Sequence, residues 1–141
     1  MIVVEALDPA LRRLVPTIKK TARKIAVLLK KEKAYVEIYL VRNFFARKKN
    51  GKEKKEFNVL SFPANQHFPR PDLSGIKRKN YFGEIYLNPE YIQKKGESLV
   101  FMLVHGFLHL FRYDHEKKDD RIRMEKKERQ LMKFLTANDD K

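Results

Sequence analysis

Apolar and polar residues follow two periodicities along the chain, and each periodicity predicts a different kind of element. Four short runs rich in β-branched and aromatic residues, typical of strands, occupy residues 1–6, 34–41, 57–62 and 81–88. Other stretches carry apolar residues three and four positions apart, which indicates helices. Strands interleaved with helices predict an α+β fold in a single domain of residues 1–141, with a sheet of about four strands covered by helices.

The first helix is predicted from apolar residues at helical spacing between Leu11 and Leu29. Asp8 is suited to be the N-cap and Pro9 the first helical residue. Pro16 lies inside the pattern, so it either kinks the helix or marks its true start. A basic connection of residues 42–56 and a long proline-containing loop of residues 63–80 separate the later strands.

Three helices are predicted in the C-terminal part of the chain. A short one follows Asn88, and Ser98 can cap a second one that is apolar on nearly every face and therefore buried. The charged tail after Glu116 contains apolar residues at helical spacing and predicts a final amphipathic helix.

The composition narrows the classes of protein. No stretch of 18 or more apolar residues is present, so we expect no membrane span, and no secretory leader is recognisable. With zero cysteines, the chain has neither disulfides nor thiolate metal ligands. These features predict a cytoplasmic protein.

The net charge of +14 is concentrated in one part of the chain. Residues 12–80 contain 20 lysines and arginines against five acids, whereas residues 81–113 are neutral. A solvated lysine-rich surface is one interpretation of this excess. We favour a polyanionic partner, of which nucleic acid is the commonest.

Three of the four histidines lie within eleven residues, and His105 and His109 are one helical turn apart. They could be core histidines bonded to backbone carbonyls. Two stacked imidazoles on an apolar helix nevertheless need more polar partners than such a helix supplies. A divalent metal ion would satisfy both, and a turn after the helix would return His115 as a third ligand. Three imidazoles suit zinc best, with nickel, copper and iron as alternatives.

The histidine spacing matches that of metalloproteases, but Gly106 stands where those enzymes carry a catalytic glutamate. Peptide hydrolysis would therefore lack its general base. A phosphodiester is less demanding, because cations can stabilise its leaving alkoxide, and a bound metal would supply hydroxide at neutral pH. We expect a glutamate introduced at position 106 to lie beside the metal and to repel phosphate.

Three segments resemble the YbeY family of ribosomal RNA maturation endoribonucleases. The family's HGxLHLxGYDH signature is matched by HGFLHLFRYDH at residues 105–115, and its T(D/N)VLSFP segment by FNVLSFP at residues 57–63. Its LGDIxISPE segment is matched by FGEIYLNPE at residues 82–90. The resemblance implies an α+β catalytic domain with one divalent ion, most simply zinc, in a cleft beside the sheet. It also implies cleavage of single-stranded RNA in small-subunit rRNA 3′-end maturation and ribosome quality control.

The resemblance assigns His105, His109 and His115 as metal ligands. The family's YRGKD arginine has no direct counterpart, so Arg47 is the candidate substitute as a catalytic residue. Arg112, which stands where the family has glycine, is a second candidate for stabilising charge on the phosphate.

The RNA itself is expected to contact polar and basic residues along the middle of the chain. The candidates are Asn58, Ser61, Lys48, Lys49, Lys52 and Arg70, with Phe68, Tyr81 or Phe82 available to stack a base. Ser61 has a structural interpretation as well, since its hydroxyl could bond a neighbouring element instead of phosphate. Two alternatives to a nuclease remain: a metzincin-like metallopeptidase, and a ribosome-binding factor without enzymatic activity that carries a structural metal.

Overall fold

The computed structural model describes residues 1–43, 45–47, 54–64, 80–111 and 118–137. The strands within these ranges are β1 (Ile2–Ala6), β2 (Tyr35–Leu40), β3 (Phe45–Arg47), β4 (Lys54–Glu56), β5 (Val59–Pro63) and β6 (Tyr81–Leu87). Four of them form a sheet in the order β1-β2-β6-β5, in which β1, β2 and β6 are parallel and β5 is antiparallel to β6. This sheet, with the helices described next, confirms the predicted α+β class.

The helices are a 3₁₀ helix (Pro9–Leu14), α1 (Val15–Leu28), α2 (Pro89–Lys94), α3 (Leu99–Leu110) and α4 (Lys118–Ala137). Three of the helices begin after the capping residues that the sequence suggested, whereas α1 begins after Leu14, which makes no side-chain cap. Side chains of Asp8, Asn88 and Ser98 accept hydrogen bonds from backbone N–H groups of the turns that follow. Pro16 lies in the first turn of α1, where a missing N–H costs nothing, so it marks the helix start.

The basic connection of residues 42–56 contains structure that the sequence did not predict. Its two arms, β3 and β4, pair as a small antiparallel sheet in which Phe45 is opposite Glu56. The sequence did not predict these two strands, because backbone pairing organises a stretch whose side chains show no periodicity. Asn50 and Gly51, a pair typical of turns, lie outside the described residues.

The main core lies between one face of the sheet and the helices. Val36 and Ile38 of β2 and Ile85 and Leu87 of β6 are fully buried on this face. There α1 packs against β1, α3 packs against β5 and β6, and α4 packs against α3 and α1. Within the described ranges, none of the helices is both long and apolar enough to span a membrane.

The opposite face of the sheet carries a smaller cluster of tyrosines and acids. Tyr39 and Tyr86 stack with ring centroids 5.2 Å apart, and their hydroxyls donate to Glu37 and Glu84 at 2.6 and 2.7 Å. Burial, followed by the proximity of these two carboxylates, raises the pKa of Tyr81. Tyr81 therefore holds its proton more tightly than a solvent-exposed tyrosine does.

Candidate metal centre

Helix α3 carries His105 and His109 on one side, and its other sides pack into the core. The Ser98 hydroxyl accepts from the Phe101 N–H at 3.1 Å and fixes the start of the helix. Leu103, Val104, Phe107 and Leu108 are buried in the core, whereas the two histidines are partly exposed. One helical turn separates the histidines, so both rings project from the same side.

The two imidazoles face each other through their Nε2 atoms. These atoms are 3.0 Å apart, and the ring centroids are 4.5 Å apart at an interplanar angle of 74°. Two nitrogens bound to one tetrahedral zinc at 2.0–2.1 Å are separated by about 3.3 Å. The observed separation is close to that value, so the pair fits a shared divalent ion.

A buried carboxylate supports one member of the pair from α4. Glu128, which is only 7% exposed, places Oε1 3.7 Å from Nδ1 of His105. Metal-binding histidines commonly turn the second ring nitrogen toward a carboxylate, which fixes the tautomer and leaves the first nitrogen free to ligate. Glu128 therefore lies where a residue that orients His105 is needed.

Gly106 packs closely against the sheet. A Cβ atom at this position would lie 3.1 Å from Cγ2 of Ile85, 3.3 Å from Oγ of Ser61 and 3.3 Å from Cγ2 of Val59. Glycine is thus needed for close packing of α3 on β5 and β6. These contacts predict that a larger side chain at 106 would strain the packing, and the effect of a glutamate there on the metal site stays a prediction.

The segment FNVLSFP supplies contacts that hold α3 against β5. Ser61 donates its hydroxyl to the Gly106 carbonyl at 3.0 Å. Asn58 donates to Oε1 of Glu97 at 3.0 Å, and its Oδ1 accepts from the Val59 N–H at 2.7 Å. These bonds give both side chains a structural role, and their predicted contact with RNA stays a prediction.

The remaining predicted site residues are not brought to the histidine pair within the described structure. The third ligand, His115, and Arg112 lie outside the described residues, as do Phe68, Lys48, Lys49, Lys52 and Arg70. Arg47 ends β3, and its catalytic role stays a prediction. Phe82 is partly buried and packs against Phe111 with ring centroids 4.8 Å apart, which gives it a structural role, and its predicted stacking on a base stays a prediction. Among the described residues, no group of three or more metal-binding side chains is present.

Glu128 is the residue that the sequence analysis missed. In α4 the buried positions are Met124, Glu128, Leu131 and Leu135, which follow one another at helical spacing. A glutamate that interrupts an apolar stripe was the available signal, since buried carboxylates require a polar partner.

The fold and the facing imidazoles define a small α+β protein with a candidate metal centre on a buried helix. A family model described as Endoribonuclease YbeY matches residues 8–136, and the chain belongs to this family.

Individual relatives support this assignment. The endoribonuclease YbeY of Bartonella quintana is 37% identical over 95 residues, which is 62% of this chain and 57% of the relative. That of a Wolbachia species from Drosophila simulans is 36% identical over 92 residues, or 60% of this chain and 55% of the relative. The chain thus spans just over half the length of the curated relatives it matches.

A solved structure shares the fold. The solution structure of TM1509 from Thermotoga maritima is similar with a TM-score of 0.50 at 20% identity. The similarity covers 98% of this chain and 93% of that protein.

Proposed function

We propose that this chain is a metal-dependent endoribonuclease that cleaves single-stranded RNA. Its proposed role is in small-subunit rRNA 3′-end maturation and ribosome quality control, in the cytoplasm. The observation that supports this proposal most directly is the facing pair of Nε2 atoms, 3.0 Å apart, on the helix that carries the family signature. Membership in a family of endoribonucleases supports RNA as the substrate.

The proposed metal site uses three imidazoles of this chain. His105 and His109, with His115 as the third ligand, hold one divalent ion, for which zinc is the expected identity. When bound, such an ion supplies Lewis acidity and lowers the pKa of a coordinated water to about 7. A small shift that closes the 3.7 Å between Glu128 Oε1 and His105 Nδ1 would let this carboxylate fix the tautomer that directs Nε2 toward His109.

The protein's cations complete the proposed chemistry. A guanidinium from Arg47 or Arg112 stabilises the charge that develops on the phosphorane. Basic side chains of the predicted RNA-contact set neutralise neighbouring phosphates and fix the strand. The metallopeptidase alternative is disfavoured because Gly106 stands where a protease carries its catalytic glutamate.

The nuclease proposal is tested with labelled oligomers and the purified chain. A single-stranded RNA, the same sequence as a duplex, and a peptide library are incubated with and without chelator. We expect cleavage of the single strand that chelator abolishes and zinc restores. Cleavage of peptides instead would establish a peptidase. Binding of RNA without any cleavage would establish the non-enzymatic factor.

The ligand assignment is tested separately by metal content after dialysis against a weak chelator. We expect one equivalent per chain in the wild type and loss of most of it in His109→Ala, because two imidazoles hold the ion too weakly. The matched control is His67→Ala, which removes the histidine outside the signature and should retain the full equivalent. Full retention in His109→Ala would contradict the assignment.

A further inference from the structure

A groove with basic and aromatic walls lies between α1 and the C-terminal part of α4. It has a volume of about 650 Å³, and its lining includes Lys19, Lys20, Arg23, Lys24 and Phe134. Neither of the two described histidines of the signature nor Glu128 lines it. Phe134 lies six residues beyond Glu128, about 9 Å further along the helix axis.

The charge of this groove is of one sign. Residues 9–28, which form the 3₁₀ helix and α1, contain six bases and no acid. Lys19 and Arg23, like Lys20 and Lys24, are one helical turn apart and therefore form two adjacent rows. Residues 129–137 of α4 likewise contain two bases and no acid. Neither of these two segments therefore supplies an acidic side chain that could neutralise the bases of the groove.

The groove also exposes apolar surface that the fold does not use. The exposed fraction is 54% for Phe134 and 56% for Val27, and both line the groove. A groove whose cations track a backbone and whose aromatic side chain stacks a base is the arrangement that binds single-stranded nucleic acid. Phe134 has this exposure, whereas Phe82 packs on Phe111.

The shape and the chemistry favour RNA over other polyanions. A concave groove cannot lie flat on an anionic bilayer. Its walls are helices, so they offer no strand edge with which an extended acidic peptide could pair. An amphipathic peptide helix would need apolar anchors over two turns, and the exposed apolar side chains that line this groove are few, namely Pro16, Val27 and Phe134.

We propose that this groove is a second binding site for single-stranded RNA, which holds the substrate strand beyond the segment at the metal centre. This proposal rests on the proposed function, which identifies the bound strand as RNA. The geometry of the groove does not involve the histidines. Lys19, Lys20, Arg23 and Lys24 contact phosphates, and Phe134 stacks one base.

The test measures binding of a fluorescent single-stranded RNA 12-mer by anisotropy at several salt concentrations, with chelator present. In Arg23→Glu/Lys24→Glu two phosphate contacts are lost, so the slope of log affinity against log salt should fall by about 1.4. The matched control is Lys94→Glu/Lys95→Glu, which makes the same change in charge at exposed residues outside the groove and should keep the slope.

A second variant separates stacking from charge. Phe134→Ala should weaken binding roughly 5- to 150-fold, the range for one stacked base, without changing the salt slope. Since Phe134 is half exposed, the variant is expected to fold as the wild type does, which circular dichroism checks. Cross-linking of a 4-thiouridine RNA should label peptides from α1 or from the end of α4.

Three outcomes would overturn the proposal. One is equal slopes for the Arg23/Lys24 variant and its control, and another is unchanged affinity in Phe134→Ala. The third is a polyglutamate peptide that competes with RNA and shows the same dependence on Phe134, which would indicate an acidic protein partner.

Cleavage is measured in parallel. His109→Ala should lose cleavage and keep RNA binding in the groove, so this variant tests the nuclease proposal separately from the groove. A wild type that binds RNA in the groove but never cleaves would refute the proposed function and leave the groove standing.

Discussion

Gly106 offers a sharp test of why the signature lacks a glutamate. The structure attributes the glycine to packing, since a Cβ atom would lie 3.1–3.3 Å from atoms of Ile85, Ser61 and Val59. In an open helix interior, Gly→Ala stabilises by about 1 kcal/mol. Overpacking of a close-packed interior costs about 1–3 kcal/mol. Because Ile85 is fully buried in a central strand and cannot retreat, we expect Gly106→Ala to lower the unfolding free energy by about 1 kcal/mol.

The assay is urea unfolding followed by circular dichroism, with chelator present so that metal binding adds no stability. A double-mutant cycle with Ser61→Ala sharpens the result. That change removes the Oγ atom 3.3 Å from the new Cβ. The methyl group added by Gly106→Ala should therefore be tolerated better in the Ser61→Ala background, with a coupling of at least about 0.5 kcal/mol.

Gly106→Glu extends the same reasoning to a charge. The longer side chain meets the same close contacts at its Cβ, and a carboxylate left buried and unpaired would cost about 3–5 kcal/mol. We expect the variant to be poorly folded. If Gly106→Ala gains the full helical stabilisation, or if Gly106→Glu is stable and active, position 106 is open and the packing explanation fails.

Further predictions concern the support of the site and the proposed RNA surface. Glu128→Gln should weaken zinc affinity by about 10- to 100-fold in a chelator competition, because the carboxylate no longer orients His105; unchanged affinity would remove Glu128 from the site. Ser98→Ala should cost about 1 kcal/mol in urea unfolding through loss of the α3 cap, while the metal content stays at one equivalent. In the triple variant Lys48→Glu/Lys49→Glu/Lys52→Glu, each phosphate contact that is lost should reduce the slope of log affinity against log salt by about 0.7. An unchanged slope in that triple variant would assign those lysines to a solvated surface.

The sequence alone predicted the elements and the ligand pair because both depend on local spacing. Alternating and helical periodicities are properties of neighbouring residues, so the four main strands and the capped starts of the helices followed from the pattern. The i and i+4 relation of His105 and His109 is also local, since any α-helix places such residues on one side. The pairing of β3 with β4 was missed, because it depends on backbone bonds between segments without side-chain periodicity.

Tertiary structure decided what surrounds that pair. Local sequence showed only that Gly106 replaces a base, whereas the structure shows that it also lets α3 pack closely on Ile85 and Val59. Glu128 lies 23 positions beyond His105 in the chain, and only the packing of α4 on α3 brings its carboxylate to the imidazole. The groove beside Phe134 likewise exists only where α1 and α4 meet. Contacts between distant segments depend on how helices pack on the sheet and on one another, and local periodicity does not encode that arrangement.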